Sequence, residues 1–562
     1  MKSKEYLFLT LKNYKNSKYN EIHNLMVKLG IIRQLSSGIY SWLPTGKAIL
    51  DKIFNYIKFE MNKIKCLEML IPILQSEEIW KNNKKYKIYK SELIITKKVN
   101  NKKFILSPTN EEIILYLIKK EINNINLPLK IFQIQSKFRN EIRINKGILR
   151  TKEFIMKDAY SFHNSYKCLN NTYNIFKNTY KKIFNKFNIK TFAIKTKNNN
   201  GIIKENLSHE FHSISEYGDN KIIICKKTNK AEIFKNSKKI YKHYILTPKE
   251  NIKYISYNYK SYNYILNKIC LEKFIKVFIF YANTNLIKSK FIALAIKFKD
   301  SLSINKIKEN ISSYIRFPIK LASKDDIVKI FKGNVEIIGM LNLKNIPIII
   351  DYNVAILSDF ITSININKIL IHGLNWNNKF IKIKEVSDIS NNNSLKKKLI
   401  IKKSIEIAHI FKLNNNIIKT NNGNKKNIFM GSYGIGISRL LFLTIEKNLN
   451  INDIKLPYIL SPFKISIIPI NYYKNKFVYD ISNKLYIFLN KKYINNIILE
   501  NRNISFGKSF KDHYLLGTST IIIISEKYIK LNLIEIIYKN NKKILQLDFN
   551  IILKFIKKHS HM

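Results

Sequence analysis

Two stretches of the chain carry charged residues with the alternation of β-strands. In Lys130–Arg143, apolar or small residues fall at 132, 134, 136 and 138, and the other face would carry Gln133, Gln135, Lys137, Arg139 and Glu141. Period-two alternation indicates one packed face and one open face. An open face with amides, two cations and a carboxylate suits a polar ligand, although an ordinary solvent-facing sheet has the same pattern.

A second predicted strand follows the loop at 142–149. Arg150, Phe154 and Asp158 are spaced by four, so they would share one face of that strand. A guanidinium neutralises phosphate charge, and an aromatic ring offers a base a surface to stack on. The two strands together therefore predict a surface for a phosphate-bearing ligand with a base.

A glycine-rich stretch, Met430–Arg439, follows a predicted strand at Ile405–Leu413 and precedes a predicted helix at Leu440–Asn448. Glycines at a strand-to-helix transition let a ligand or another backbone approach closely. Tight packing is the commoner reason for such glycines, so this stretch alone does not define a site.

Composition excludes some classes of protein. With 562 residues and 46% hydrophobic residues, the chain has enough apolar side chains for several packed domains, about three or four by length. Lys plus Arg minus Asp plus Glu is 99 − 39 = +60. This charge permits a nucleic-acid partner, although biased use of Lys and Asn explains it equally well. We expect lower ionic strength to reduce stability and to strengthen nonspecific RNA binding.

The cysteines and the apolar pattern predict the compartment. Cys66, Cys168, Cys225 and Cys270 have neither disulfide-scaffold nor zinc-ligand spacing. The first residues lack a signal-peptide core, and no apolar run is long enough to span a membrane. We therefore expect a cytoplasmic protein without membrane association.

Three stretches resemble the motifs of class II aminoacyl-tRNA synthetases. Phe138–Glu141 with Arg150–Asp158 resembles motif 2, and Gly434–Arg439 resembles motif 3. The predicted helix Gly46–Lys65 and the apolar strand Leu67–Leu74 that follows resemble motif 1, the dimer-interface motif.

Further stretches resemble bacterial-type prolyl-tRNA synthetases, and the resemblance covers nearly the whole chain. They are Leu29–Gly46, Ser107–Glu112, Met156–His163, Ser208–Phe211 and His409–Phe411. The implied fold is a multidomain α/β protein with an antiparallel-sheet catalytic core and helices in residues 1–216 and 401–460. An inserted α+β editing-like domain would occupy residues 217–400, and a C-terminal α/β anticodon-binding domain residues 461–562.

The resemblance implies ATP-dependent attachment of proline to tRNA(Pro) through a prolyl-adenylate, in a homodimer. Arg139 and Arg439 would be catalytic, with Arg139 bridging the proline carboxylate and the α-phosphate. Glu141 would accept from the adenine amino group, and Arg150 would meet the outer phosphates. The remaining ATP contacts would be Phe154 and Arg439, on either side of adenine. ATP chemistry also implies Mg²⁺, with Glu406 as a candidate ligand or else a strand-surface carboxylate.

The proline pocket implied by the resemblance has polar groups and apolar walls. Its polar residues would be Thr109, Glu111, Arg139, His409 and Ser432. Phe162 and Phe211 would be either walls of this pocket or plain core residues.

The other two implied domains have fewer matching residues. The inserted domain would hydrolyse mischarged alanyl-tRNA(Pro), with Lys276 and Asp351 as candidate editing residues. Arg502 and Lys508 are candidate anticodon contacts, or ordinary exposed cations.

Three alternatives remain open at this point. The main one is a catalytically inactive, tRNA-binding paralogue of a class II synthetase, disfavoured because the Arg139, Glu141, Phe154 and Arg439 set is intact. A threonyl-type enzyme is disfavoured because the zinc-binding Cys/His set expected of it is not visible. An editing-only deacylase is disfavoured because the inserted domain matches the family less completely.

Overall fold

The computed structural model divides the chain into two compact units, Met1–Gly218 with Ser404–Met562, and Asp219–Lys403. The sequence-based domain boundaries at 216/217, 400/401 and 460/461 stay predictions. The structure describes residues 1–11, 14–81, 86, 90–97, 102–121, 125–141, 146–197, 207–225, 229–233, 250–256, 270–333, 337–343, 345–366, 368–376, 381, 383–391, 399–419, 425–449, 455–539 and 541–560.

Residues 1–218 alternate between strands and helices. The strands are β1 Ile32–Ser36, β2 Ile39–Trp42, β3 Leu67–Glu68, β4 Leu74–Ser76, β5 Ile94–Ile95, β6 Phe104–Leu106, β7 Leu129–Phe138, β8 Glu153–His163, β9 Phe192–Lys197 and β10 Leu207–Ile214. The helices are α1 Glu21–Lys28, α2 Pro44–Lys63, α3 Glu77–Lys81, α4 Glu111–Glu121 and α5 Tyr166–Lys186.

The unit formed by residues 219–403 is mixed in the same way. Its strands are β11 Asn220–Cys225, β12 Ala231–Ile233, β13 Lys253–Ser256, β14 Ile275–Tyr281, β15 Phe291–Lys297, β16 Ile348–Asp351, β17 Phe360–Ser363, β18 Ile369–Leu374 and β19 Ile383–Ser387. Its helices are α6 Ile304–Asn310, α7 Lys324–Phe331 and α8 Tyr352–Ala355. β14, β15, β16 and β19 form one sheet, and β13, β18 and β17 form another.

The remaining part of the chain completes the first unit. Its strands are β20 Leu399–Lys419, β21 Lys425–Gly436, β22 Ile465–Pro469, β23 Ile497–Leu499, β24 Thr520–Ile524, β25 Leu533–Tyr538 and β26 Asn541–Gln546. Its helices are α9 Ile437–Asn448, α10 Lys476–Asn490, α11 Phe506–Leu515, α12 Glu526–Lys530 and α13 Phe549–Ser560. The last five strands form a separate mixed sheet in the order β23-β22-β24-β25-β26.

A large sheet positions the residues of interest in the first unit. Its strands lie in the order β10-β20-β21-β8-β7-β3, with β9 paired to β10. The long neighbours β20, β21, β8 and β7 are antiparallel, and only the short edge strand β3 runs parallel to its neighbour β7. The prediction of an antiparallel-sheet core with helices is confirmed.

Helix α5 covers one face of this sheet. Ser165 caps its first turn by accepting a hydrogen bond from the Cys168 backbone N–H, as N-cap serines do. Leu169, Tyr173, Phe176 and Tyr180 recur at helical spacing and are buried in the core of the unit. The opposite face of the sheet is therefore left for a ligand.

Three strand predictions need correction. Strand β7 ends at Phe138 and β8 begins at Glu153, so Arg139, Glu141 and Arg150 flank the strands instead of lying within them. The polar face of β7 is not open, because Gln133 and Lys137 are buried. The predicted single strand Leu67–Leu74 is interrupted, since β3 ends at Glu68 and β4 begins only at Leu74.

Lys157 is a lysine without solvent contact beneath the sheet. Its ammonium donates to the Tyr180 hydroxyl at 2.7 Å and lies 5.1 Å from the centre of the Phe176 ring. Burial lowers the pKa of Lys157 from 10.5 to about 7. Between these two pH values the unfolded chain binds more protons at this side chain than the folded chain does.

We therefore expect Lys157 to make the protein more stable as pH rises. Relative to Lys157→Met, the wild type should gain about 2–3 kcal/mol in the free energy of unfolding between pH 7 and pH 9. Urea unfolding of both proteins at several pH values measures this difference. A difference that stays constant over this pH range would contradict the lowered pKa.

Candidate active site

A cavity of about 280 Å³ opens on the sheet face opposite α5. Motif-2-like, motif-3-like and predicted proline-pocket residues meet in it. Its walls include Thr109, Glu111, Lys137, Arg139, Glu141, Arg150, Phe154, Met156, Asp158, Tyr160, Glu406, His409, Phe411, Ser432, Gly434, Gly436 and Arg439. The structure thus brings together every candidate ATP-binding and proline-binding residue that the sequence suggested.

Arg139 lies just past the end of β7 and is held from several sides. Its backbone N–H donates to the Lys152 carbonyl at 2.9 Å, which continues the β7–β8 pairing past the strand end. Its guanidinium donates weakly to the Pro108 carbonyl at 3.3 Å and lies 5.2 Å from the centre of the Phe154 ring. The cation is thereby aimed into the cavity beside an aromatic surface.

Glu141 and Arg150 form an ion pair at the cavity wall. Arg150 Nη1 lies 3.1 Å from Glu141 Oε2, and both side chains are about three-quarters buried, with 20% and 25% exposed. A 3-10 turn at Gly147–Leu149 leads into Arg150, and Gly147 has a φ of +58° that favours glycine. A Cβ at this glycine would lie 2.6 Å from His23 Nδ1, so the turn closes only with glycine.

Arg439 lies in the first turn of α9 and faces Glu406 on β20. Its Nη1 donates to the Glu406 backbone carbonyl at 2.9 Å and lies 4.0 Å from the Glu406 carboxylate. Gly434 and Gly436 line the cavity between these residues and Met156. A Cβ at Gly436 would meet nothing closer than 3.5 Å, so here the absence of a side chain leaves room for a ligand.

Gly431 differs from its neighbours Gly434 and Gly436. A Cβ at this position would lie 2.0 Å from the Tyr433 hydroxyl oxygen, which is hydrogen-bonded to Ser161 at 2.8 Å. Close packing therefore explains the glycine at 431. Tight packing is the commoner reason that the sequence analysis gave for glycines in this stretch.

A second group of polar residues lines the other end of the cavity. Ser432 donates from its hydroxyl to the Glu111 carboxylate at 3.1 Å, which joins β21 to the first turn of α4. Thr109 and Tyr160 lie at the same cavity wall. This end offers carboxylate and hydroxyl oxygens that can accept hydrogen bonds from a cationic amine.

His409 and two carboxylates form a possible cation site at the cavity edge. Ligand atoms of Glu210, Glu406 and His409 lie within 4.8 Å of one another. The His409 ring nitrogen Nδ1 is 3.8 Å from Glu406 Oε1. Two carboxylates are the donors that Mg²⁺ prefers in proteins, so this part of the chain fits the ion.

A buried charge network that the sequence did not predict lies at the base of the cavity. Lys137 Nζ lies 3.3 Å from Asp158 Oδ1, with only 1% and 8% of these side chains exposed. Gln133 and Tyr160 donate to the other oxygen of Asp158, at 3.2 and 2.8 Å. Strand alternation predicted that Lys137 shares a face with Arg139, and Asp158 with Phe154. It could not show that the two strands are antiparallel neighbours in one sheet, in the register that brings Lys137 close to Asp158.

Phe162 and Phe211 are core residues and do not line the cavity. Both are fully buried in hydrophobic clusters on either side of the sheet. Phe411 and Tyr160 supply the aromatic surface at the cavity instead. Phe211 packs against Tyr180 and Phe184 on the α5 side of the sheet, whereas Phe162 is on the same face as Tyr160 but packs with Ile131 and Met430.

Asp351 has a structural role within residues 219–403. It caps α8 by accepting from the Asn353 backbone N–H at 2.8 Å. Its second oxygen accepts from the backbone N–H groups of Ile389 and Ser390 at 3.1 and 3.0 Å. These contacts engage both oxygens, and the role of Asp351 in editing stays a prediction. Lys276 lies 5.3 Å from the centre of the Phe298 ring and stays only a prediction as an editing residue.

Arg502 is likewise held by the protein itself. It donates to Glu500 at 2.6 Å and to Asp512 at 3.0 Å, and its guanidinium lies 4.0 Å from the centre of the Phe8 ring. Burial alone would raise the pKa of Glu500, but hydrogen bonds from His513 and Arg502 hold this pKa well below its usual range. Arg502 and the exposed Lys508 both stay predictions as anticodon contacts.

These contacts predict different outcomes for the two cations. Arg502→Ala should lower the free energy of unfolding by about 3 kcal/mol, because it leaves buried Glu500 without its cation. Lys508→Ala should change this free energy by less than about 0.5 kcal/mol. Urea unfolding compares them. Equal stability of the two variants would contradict the structural role of Arg502.

The comparisons with known proteins identify the class first. Residues 89–448 match the family model described as the tRNA synthetase class II core domain (G, H, P, S and T). The chain also has the fold of a prolyl-tRNA synthetase from Cryptosporidium parvum in a complex with halofuginone and AMPPNP, with a TM-score of 0.55, 13% identity and coverage of 98% of this chain and 80% of that one. A Giardia lamblia prolyl-tRNA synthetase in complex with prolyl-adenylate gives a TM-score of 0.55 and 12% identity, covering 96% of this chain and 77% of that one.

Curated relatives then define the family more narrowly. A proline--tRNA ligase of Buchnera aphidicola subsp. Schizaphis graminum is 38% identical, with 99% of both chains covered. A proline--tRNA ligase of Wigglesworthia glossinidia brevipalpis is 37% identical, over 96% of this chain and 95% of the relative. The chain belongs to the proline--tRNA ligase family, and the resemblance found in the sequence is confirmed.

Proposed function

We propose that this chain activates proline with ATP and transfers the prolyl group to tRNA(Pro). One observation carries the proposal. A single cavity holds arginines suited to phosphate groups, Arg139 and Arg439, together with the joined side chains Ser432 and Glu111, suited to a cationic amine. Full-length similarity to proline--tRNA ligases supports proline as the amino acid.

The first step needs positioning and charge neutralisation more than a base. The carboxylate of proline, already a nucleophile at neutral pH, attacks the α-phosphorus of ATP. The bond to the bridging oxygen breaks and pyrophosphate leaves, which yields prolyl-adenylate. Arg139 suits the neutralising role because its planar fork holds two oxygens and stays charged.

The other nucleotide contacts follow from the cavity walls. Phe154 and Arg439 present flat surfaces between which adenine can stack, and Glu141 can accept from its amino group. Arg150 is paired to Glu141 in this structure at 3.1 Å, so its proposed contact with outer phosphates requires that it reorient toward them. A polyphosphate supplies the competing negative charge for that change.

The amino-acid end selects for proline by shape and charge. Thr109 and Glu111 are proposed to accept from the secondary ammonium, with His409 and Ser432 completing the pocket. In the second step the 3′-terminal ribose hydroxyl of the tRNA attacks the prolyl carbonyl, and AMP leaves. No residue is assigned as its base.

Mg²⁺ is proposed as the metal that accompanies ATP. Glu406 and Glu210 would hold it, because their oxygens share the cluster with His409 within 4.8 Å. When bound, the ion neutralises phosphate charge.

A homodimer is proposed from the exposed edge of the large sheet. Strand β3 is the last strand on that side. Its Leu67 is 63% exposed, and Leu70, two residues past the strand end, is 79% exposed. Apolar side chains on a free edge strand are an association surface.

Three further predictions are not tested by this structure. They are alanyl-tRNA(Pro) hydrolysis by residues 217–400, anticodon binding by residues 461–562 and a cytoplasmic location. No helix among the described residues is long and apolar enough to cross a membrane.

Glu111→Gln tests the amino-acid end of the cavity. It should raise KM for proline in ATP–pyrophosphate exchange by about 10- to 100-fold, because a hydrogen bond to a charged ammonium is lost. KM for ATP should change less than about twofold. Glu121→Gln, at the exposed far end of the same helix, is the matched control. An unchanged KM for proline would contradict the assignment of Glu111.

A further inference from the structure

A group of lysines surrounds His209 on the sheet face that α5 covers. Lys177 and Lys181 lie one turn apart on α5, Lys195 lies on β9 opposite His209, and Lys412 lies on β20. Strand alternation turns His209 away from Glu210, whose carboxylate belongs to the cavity edge. The mechanism above uses none of these five residues, which we call the His209 cluster.

The hydrogen bonds of His209 fix its orientation. Lys177 donates to Nε2 at 3.1 Å, so the neutral ring carries its proton on Nδ1 and donates it to the Tyr173 hydroxyl at 2.6 Å. Tyr173 in turn donates to the Ile410 carbonyl at 3.4 Å. The imidazole thus holds the Lys177 ammonium at one place without neutralising its charge.

Lys412 is the most buried cation of the cluster, at 5% exposure. Its ammonium donates to the Asn170 side chain and lies 4.7 and 5.0 Å from the ring centres of Tyr173 and Tyr166. Aromatic faces and an amide stabilise a cation but do not cancel its charge.

The cluster lacks a countercharge within the part of the chain that the structure describes. None of its four lysines makes an ion pair there, although carboxylates pair with many other lysines. Burial lowers the pKa of Lys177 and of Lys412, each with a further contribution from a neighbouring lysine.

We propose that the His209 cluster is a binding surface for the phosphate backbone of the tRNA substrate. The inference rests on tRNA being the substrate, but it assigns a contact surface away from the ATP and proline cavity. A bound phosphodiester supplies the charge that these cations lack, and releases counterions. The cations spread over α5, β9 and β20, from buried Lys412 to exposed Lys181 and Lys195, which fits an extended polyanion better than a single small anion.

The same helix offers a matched pair of variants. Lys177→Gln/Lys181→Gln removes two cluster charges one turn apart, and Lys182→Gln/Lys186→Gln removes two exposed charges with the same spacing on α5. The cluster variant should raise KM for tRNA in aminoacylation about tenfold and reduce the slope of log affinity against log salt by roughly two. The control variant should change KM for tRNA less than about twofold.

Proline-dependent pyrophosphate exchange, which needs no tRNA, separates this inference from the proposed function. The rate of exchange should be unchanged in both variants. If the wild type showed no exchange, that result would count against the proposed function alone. If the cluster variant folds poorly, Lys195→Gln, a change at an exposed strand position, should still raise KM for tRNA about threefold. Equal KM values for the cluster and control variants, or for Lys195→Gln and the wild type, would overturn the proposed tRNA contact.

Inorganic phosphate provides a second test. If it displaced bound tRNA as well as competing tRNA does at an equal concentration of phosphate groups, a site for a free anion would explain the cluster and the proposal would be overturned.

Discussion

Arg139→Ala should lower kcat/KM for proline in ATP–pyrophosphate exchange by about 10³-fold. Removing one preorganised donor from a site where charge develops costs about 10²- to 10³-fold in rate, and Arg139 is proposed to serve both the carboxylate and the α-phosphate. Its guanidinium lies over Phe154 at the cavity, 5.2 Å from the ring centre. Initial rates of exchange at several proline concentrations measure the effect.

Arg139→Lys separates charge from geometry. It keeps the positive charge but loses the planar fork that holds two oxygens, so it should recover only a small part of the lost activity. Full activity of the lysine variant would show that charge alone suffices. An alanine variant that keeps more than a tenth of the wild-type rate would contradict the proposed role of Arg139.

Lys137→Met should cost about 3–5 kcal/mol in the free energy of unfolding, the largest stability effect we expect. Removing one partner of a buried ion pair leaves the other charge without compensation. Here Asp158 would remain 6% exposed beneath the cavity, with only the hydrogen bonds from Gln133 and Tyr160. Urea unfolding at neutral pH measures the loss.

A surface ion pair provides the control for this prediction. Lys47 and Asp51 lie 2.5 Å apart, but their side chains are 61% and 47% exposed. Lys47→Met should therefore cost less than about 1 kcal/mol. If the two methionine variants lost equal stability, burial would not be the reason for the effect at Lys137.

The sequence predicted local elements well where their pattern is periodic. Short runs of isoleucine between polar residues are typical of buried strands, and they predict strands at Ile465–Pro469 and Ile497–Leu499. Strands β22 and β23 have these bounds. The helix predicted at Gly46–Lys65 is α2 with its bounds shifted by two residues. The bounds of these elements depend on the pattern of residues that are close together in the sequence, so they can be predicted from it.

Contacts between distant residues could not be predicted in this way. The pairing of Lys137 with Asp158 depends on the register of β7 and β8, and that of Arg502 with Asp512 depends on how α11 packs beside Glu500. Resemblance to the family's motifs nevertheless identified the cavity residues. Members of a family share a fold, so residues that match its motifs lie at the same places in the structure. The resemblance did not predict the contacts that Asp351 and Arg502 make within the protein, because resemblance in sequence does not show which partners a side chain already has.

Amino-acid-dependent ATP–pyrophosphate exchange shows whether this chain activates proline. The folded wild type would be assayed with proline, alanine, threonine and cysteine in turn. We expect the highest kcat/KM with proline, weaker exchange with alanine because a missing methylene changes binding by only about 1–3 kcal/mol, and none with threonine. Exchange with no amino acid, from protein shown to be folded, would contradict the proposed activation of proline and favour a tRNA-binding paralogue without catalytic activity.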